Sequence, residues 1–220
     1  MTLLVAGILF GIGVPNVMEF QRNGLMTAAA NELVTGVLMA RSEAVKRQAP
    51  VALCLSDNPT AVTPTCSPNA IGDSLTRGFI VWVDENNNVD ANGARILTDA
   101  TDGNAVVDAN ELVIRRSVPP GGTIRVSANC GYVSYAPTGF TRNVAGLCPT
   151  VLTVTRTVLF CDDRGRRVAA GSLSAARVVR IDRPGRGQVL QETAVINPLI
   201  TNSPPTAGAL PASGINPTCP

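Results

Sequence analysis

The chain divides by hydrophobic period. Residues Met1 to Val14, MTLLVAGILFGIGV, form an uncharged apolar run that meets Pro15. Asn16 to Gln48 continues without a turn cluster and sets Leu33, Val34, Val37, Leu38, Ala40, Ala44 and Val45 at helical spacing. The two stretches predict one helix from Leu3 to Gln48, roughly 70 Å long at about 1.5 Å per residue. Leu3, Leu4, Ile8, Leu9, Phe10, Ile12, Val14 and Pro15 make its membrane-seeking end. Glu32, Arg41, Glu43, Lys46 and Arg47 make the watery end, where the basic pair suits the negative pole of the helix dipole and Pro50 halts the helix. The apolar run falls short of the roughly 20 residues of a full span. It also lacks the preceding charge and following small-residue site of a secretory signal.

From Val51 the period shortens to apolar or alternating runs punctuated by Gly, Pro, Asn and Asp, which predicts strands and turns. The expected strands are Val51–Leu55, Phe79–Val83, Glu111–Arg116, Gly122–Ser127, Tyr132–Tyr135, Val151–Phe160, Arg177–Asp182 and Gly187–Gln191. Their connections are too short for crossover helices, so antiparallel pairing is expected. The apolar face of the helix's second half would then cover one face of a sheet, an α+β arrangement. Asn197 to Pro220 carries six prolines and no charge, and reads as an extended tail. The organisation expected is therefore 1–22 as the membrane-seeking part of the helix, 23–196 as the helix's second half with the strand region, and 197–220 as a tail.

Composition narrows the chemistry. At 220 residues and 45% apolar content the chain can bury a core. It contains no histidine, which removes the usual general base and the commonest metal ligand. The net charge of +2 conceals an uneven distribution. Asp73 to Glu111 holds eight acids against two bases, whereas Arg115 to Arg186 holds twelve bases against three acids. The six cysteines Cys54, Cys66, Cys130, Cys148, Cys161 and Cys219 show no C-x-x-C spacing, so disulfides in an oxidising compartment are expected rather than zinc. Nearest-neighbour pairing would join Cys54 to Cys66, Cys130 to Cys148 and Cys161 to Cys219, the last tying down the tail, although six cysteines admit fifteen pairings.

Three segments are candidates for binding or catalysis. Asp84-Glu85-Asn86-Asn87-Asn88-Val89-Asp90 offers oxygens at alternate positions as a calcium loop would, but Val89 stands where Gly is wanted and Arg95 where a bidentate Glu is wanted. Asp99 to Glu111 has no workable ligand spacing either, and both are expected to be solvated turns, with the acids as a negative patch toward a neighbour. The arginines Arg164, Arg166, Arg167, Arg177, Arg180, Arg183 and Arg186 fall within 23 residues, and converging guanidinium groups bind phosphate backbones. Arg183-Pro184-Gly185-Arg186 reads as a tight turn that would hold two of them at a tip. Against nucleic acid stands the lack of interleaved aromatics; the competing reading is a basic face matched to an acidic neighbour. Trp82 and Phe79 are expected in the core. A Ser-Lys dyad would have to use the one lysine, Lys46, so no catalytic residue and no cofactor is expected.

LLVAGILFGIGVPNVMEF and RNGLMTAAANELVTGVLMARSEAVKRQAPVALC together resemble the N-terminal half of type IV pilin-like subunits of the GspH/FimT class. Gly78-Phe79-Ile80-Val81-Trp82-Val83-Asp84, Tyr135-Ala136-Pro137-Thr138-Gly139-Phe140 and Leu159-Phe160-Cys161-Asp162-Asp163-Arg164-Gly165 resemble the family's later strands, and the likeness extends over about Leu3 to Val189. It implies a pilin-like fold with a long N-terminal helix on an antiparallel head. It implies, too, a minor pilin or pseudopilin held in the inner membrane of a Gram-negative bacterium with a periplasmic head. The implied partners are a prepilin peptidase, an assembly platform, and the major and minor pilins of a type IV pilus or type II secretion pseudopilus. The family's short basic leader ending in Gly and the Glu soon after its cut are not found here, from which a misplaced start is expected. The FimT subclass that takes up double-stranded DNA carries Gly-Arg-x-Arg near this chain's Gly185-Arg186-Gly187-Gln188, where Gln188 replaces the second Arg. The implied DNA contacts would be Arg166, Arg167, Arg180, Arg183 and Arg186.

Overall fold

The computed structural model describes residues 2–67, 74–85, 107–108, 111–142, 156–165, 168–169, 173–182 and 184–192, without the side chains of residues 2–16 and 168–169. A single helix, α1, spans Thr2–Arg47. Its end is built locally: Gln48 takes a left-handed φ of 55°, its side-chain amide donates to Val45 O at 2.6 Å, and Pro50 cannot extend the helix. On the last turns Glu43 receives Arg47 Nε at 2.6 Å and Lys46 Nζ at 3.5 Å. These bonds, that from Arg47 foremost, hold the Glu43 carboxyl below the usual glutamate range.

The strands are β1 (Val51–Ser56), β2 (Gly78–Val83), β3 (Val113–Ser117), β4 (Arg125–Ala128), β5 (Tyr132–Tyr135), β6 (Thr141–Arg142), β7 (Arg156–Cys161), β8 (Val168–Ala169), β9 (Leu173–Ile181) and β10 (Gly187–Glu192). All described pairings are antiparallel. The strands form two sheets rather than the one surface the sequence suggested: β3-β2-β1-β5-β6, and β10-β9-β7-β4 with β8 on β9. Pro119-Pro120-Gly121-Gly122 is the point of departure. Two prolines remove ladder donors, and Gly122 turns with φ 75°, so the strand expected from Gly122 begins only at Arg125 and joins the second sheet.

The second half of α1 lies against both sheets. Met26, Ala30, Leu33, Val37, Ala40 and Ala44 share one core with Leu53, Val81 and Tyr135 of the first sheet and with Val126, Phe160 and Val179 of the second. Gly36 permits the closest approach, since a Cβ there would come within 2.5 Å of Phe79 Cε2 and 3.1 Å of Leu53 Cδ1. The opposite faces of the sheets are buried as well. Ala52, Ile80, Trp82 and Tyr132 form a second cluster, and Leu159, Ala176 and Val178 a third. That explains why VALCLS and GFIVWV lack a polar alternation: every residue of β1 and β2 is buried.

Cys54 on β1 is bonded to Cys66, closing a loop over the face of the first sheet that turns away from α1. Asn58 Oδ1 organises that loop by accepting Thr65 N at 2.9 Å and Thr65 Oγ1 at 3.0 Å. Asp57 accepts Ser67 Oγ at 2.7 Å and Arg77 Nε at 3.1 Å. Partial burial pushes the Asp57 carboxyl up, but the bonds from Ser67 and Arg77 outweigh it and leave it below the ordinary aspartate range. Cys130 and Cys161 are also disulfide-bonded, while Cys148 and Cys219 lie outside the described residues. So does the expected tail, 197–220.

Candidate functional site

Two regions bear on function, one apolar and one rich in arginine. The apolar one is the part of α1 that the head leaves uncovered. Beside Met26, the first core residue, Leu25 is 52% exposed, and farther back Phe20 is 78%, Val17 54% and Met18 51% exposed. At 100° per residue these four fall within an arc of roughly 160°, one broad face of the helix. Farther along, the side opposite the core presents Ala28, Asn31, Thr35, Leu38, Ser42 and Val45, all exposed and none charged. Leu38 and Val45, expected at helical spacing with the core residues, thus face outward, because α1 buries a face centred on Val37 and Ala44. The side chains of Leu3, Leu4, Ile8, Leu9, Phe10, Ile12, Val14 and Pro15 lie outside the described residues, and no helix among the described residues is long and apolar enough to cross a membrane.

The arginines do not converge as their spacing suggested. Arg164 reaches back from the β7–β8 turn to chelate Asp162, with Nη2 2.7 Å from Oδ2, and donates through Nη1 to Asn23 of α1 at 3.0 Å. Asp162 is buried, so this pair clamps the helix to the second sheet. Arg177 folds over its own strand, donating through Nη1 to the carbonyls of Ser174, Ala175 and Ala176. Burial, reinforced by the charge of Arg164, holds its guanidinium below the usual arginine value. Arg180 lies 3.2 Å from Asp182 and bonds Gln188. Gln188, which replaces an expected arginine, therefore has a structural partner.

Arg186 is exposed at the end of the five-residue β9–β10 loop, 182–186. That loop is closed by Gly185 N to Asp182 O at 2.8 Å and Asp182 N to Arg186 O at 3.0 Å, with Gly185 at φ 79°. The expected turn is thus present, with Gly185 as its left-handed residue. A side chain at Gly185 would run into the ring of Tyr135, whose hydroxyl donates to Gly185 O at 3.0 Å. Arg166, Arg167 and Arg183 lie outside the described residues.

The acidic segments also differ from expectation. Asp84, Glu85 and Glu111 are buried rather than solvated, and Glu111 accepts the Asp108 amide at 2.8 Å. The reason is position: they terminate the doubly covered first sheet, where Asp84 N is taken by Pro50 O at 2.9 Å. Residues 86–106 lie outside the description. No group of three metal-ligating side chains occurs among the described residues. A cleft lined by Leu33, Leu55, Phe79, Val126 and Phe160 encloses about 20 Å³, room for one water rather than a substrate.

Sequence spacing overlooked two features. One is the Asp162–Arg164–Asn23 clamp, hidden because its partner is remote in the chain. The other is Arg156, which occupies a core-facing position of β7 in step with Val158 and Phe160. That parity was legible as a polar residue on an apolar strand face.

The sequence profile described as type II transport protein GspH matches residues 29–185, from the covered half of α1 through β9. Among solved structures, the type IV minor pilin FimU of Pseudomonas aeruginosa strain PAO1 aligns in two crystal forms. One shares 17% identity over 80% of this chain and 94% of that chain with a TM-score of 0.43. The other shares 17% over 74% and 91% with a TM-score of 0.38. No curated protein matches the chain.

Proposed function

Because this chain belongs to the family of type II transport protein GspH, we propose that it is a minor pilin or pseudopilin that works by assembly rather than by chemistry. Its α1 packs among the helices of neighbouring subunits, and its head faces solvent or the next head. The observation that carries this reading is the broad exposed apolar face formed by Val17, Met18, Phe20 and Leu25 on a helix whose other half is the spine of the head. A monomer in water has no use for such a helix end, whereas a head-to-tail helical array covers it. In this reading the subunit waits in the inner membrane of a Gram-negative cell, a prepilin peptidase trims it, and an assembly platform draws it into a type IV pilus or type II secretion pseudopilus, which it primes or caps. The head corresponds to residues 23–196.

The test is incorporation. Phe20→Glu with Val17→Glu leaves the head folded, since neither residue contributes to its core, but removes the chain from the sheared filament fraction while its cellular level is unchanged. Equal incorporation of the double variant overturns the proposal.

The second reading, a DNA-capturing subunit, is supported by the exposed Arg186 at the β9–β10 loop. Arg180 is committed to Asp182 and Gln188, so the described residues offer this reading one contact. Double-stranded DNA binding that falls with salt and disappears in Arg186→Gln favours it over the structural role.

A further inference from the structure

On the face of the second sheet that turns away from α1, Leu159, Ala176 and Val178 are fully buried and Cys161 nearly so. The described apolar residues of that cluster, with half-buried Leu190 against it, all belong to β7, β9 and β10 themselves. α1 and the first sheet meet the second sheet on its other face, through Val126, Phe160 and Val179. A sheet face is buried only by a second layer. On the first sheet the corresponding face is covered by the loop that Cys54–Cys66 closes.

The remaining cysteines narrow the identity of the second cover. Cys130 and Cys161 are each disulfide-bonded. They are too far apart to be bonded to each other. In the β4–β7 ladder Cys161 stands opposite Arg125, whereas Asn129, the neighbour of Cys130, accepts Thr157 N through Oδ1 at 2.8 Å. Thr157 is four extended residues from Cys161, about 13 Å along the strand, and a disulfide needs Cα atoms within about 7 Å. Since Cys54 is taken by Cys66, the partners left are Cys148 and Cys219, one for each. The strand ends favour one assignment. β6 is antiparallel to β5, with Arg142 opposite Ser134, so the chain leaves β6 toward the Tyr132 end of β5, beside Cys130. It re-enters at Arg156, next to the Asn129–Thr157 bond. Cys148 lies between those two points in the chain. β10, by contrast, ends with Glu192 opposite Leu173, at the end of the second sheet where Phe160 pairs with Arg177 and Cys161 follows.

We propose that Cys161 is bonded to Cys219 and Cys130 to Cys148, and that the chain beyond Glu192 is a strap laid over the outer face of the second sheet. Its composition suits that place. Asn197 to Pro220 carries six prolines, which cannot donate to a ladder, so the segment crosses the strands rather than extending the sheet. It carries no charge that burial would have to desolvate. Glu192 and Cys161 stand at one end of the sheet, two strand spacings or about 10 Å apart, so the strap runs out over Val178 and Leu159 and back. Each bond forms as two thiols give up two protons and two electrons to the disulfide of a protein oxidant, which is reduced to its dithiol. Cys161 precedes Asp162, so the staple also anchors the turn whose Arg164 holds Asn23 of α1. None of this depends on how α1 packs in a filament.

The experiment is tryptic mapping of the oxidised full chain without reductant. Cleavage after Arg125, Arg142, Arg156, Arg164 and Arg186 puts each of these four cysteines on its own peptide. The expected result is peptide 157–164 linked to 187–220 and peptide 126–142 linked to 143–156, both separated by reduction. A link between 126–142 and 187–220, or 187–220 recovered with a free thiol, overturns the pairing. The cover is tested with both bonds intact: Ile200→Ser with Leu210→Ser lowers the thermal midpoint in detergent by about 4 °C. An unchanged midpoint overturns the strap even where the linkage is found.

Discussion

Residues 17–25 and 26–44 of α1 belong to one unbroken helix and are both rich in apolar side chains, yet they meet different surroundings. In the later stretch Met26, Leu33 and Val37 are sealed against two sheets; in the earlier one Phe20 and Leu25 stand in the open. Hydrophobicity alone does not separate them. The later stretch differs in pattern: its large apolar side chains alternate with small ones on the covered face, Ala30, Gly36, Ala40 and Ala44, so that strands can approach closely. The earlier stretch carries bulky side chains on one broad face, Val17, Met18, Phe20 and Leu25, exposed rather than set against a sheet. A head holds its helix by close fit between small and large side chains, and the earlier stretch has no such fit within the head.

The comparison can be broken most forcefully inside the covered stretch. Leu33→Ala removes a side chain shared by α1 and both sheets and is expected to cost the head about 3 kcal/mol, read by denaturant unfolding. Gly36→Ala, normally a gain in a helix, is expected here to cost about 1–3 kcal/mol, because Phe79 and Leu53 must yield to the new methyl group. Stabilisation by this substitution would show that the helix-to-sheet spacing is not fixed by Gly36. Glu43→Gln should cost about 0.3–0.5 kcal/mol at neutral pH, since its pairs with Arg47 and Lys46 lie largely at the surface.

The sign of the corresponding pH effect follows from the lowered carboxyl. The Glu43 contribution is present above the unfolded glutamate range and is lost as pH falls through the lower folded value, and Asp57 behaves in the same way. Asp57→Asn and Glu43→Gln should therefore flatten the acid limb of the stability curve. Smallest of all is Phe20→Ala, expected to change head stability by less than about 0.5 kcal/mol because the ring touches none of the core. A large loss there would mean that the earlier stretch also supports the head.

Much of this was legible in the chain. Apolar spacing placed α1 within a residue of each end, and eight expected strands all have counterparts, because runs such as GFIVWV and RTVLF are apolar enough to declare themselves. β6 and β8, two residues each, were missed: so short a strand has no period to read. The tight turn at Gly185 was legible from Pro and Gly, and the local Cys54–Cys66 pairing from proximity. The arginines were legible as a count but not as a surface. Arg164, Arg177 and Arg180 all lie on neighbouring stretches of chain, yet one clamps α1, one wraps its own strand and one pairs with Asp182.

What the sequence determined by itself is the long helix, the antiparallel strands that follow and the lack of a histidine-based site, since period and composition are local properties of the chain. What the tertiary structure decided is which of those residues meet. It split the strands into two sheets around one helix, buried Asp84 and Glu111, and tied Arg164 to Asn23 of α1. Those outcomes depend on contacts between residues far apart in the chain, and no local pattern carries that information.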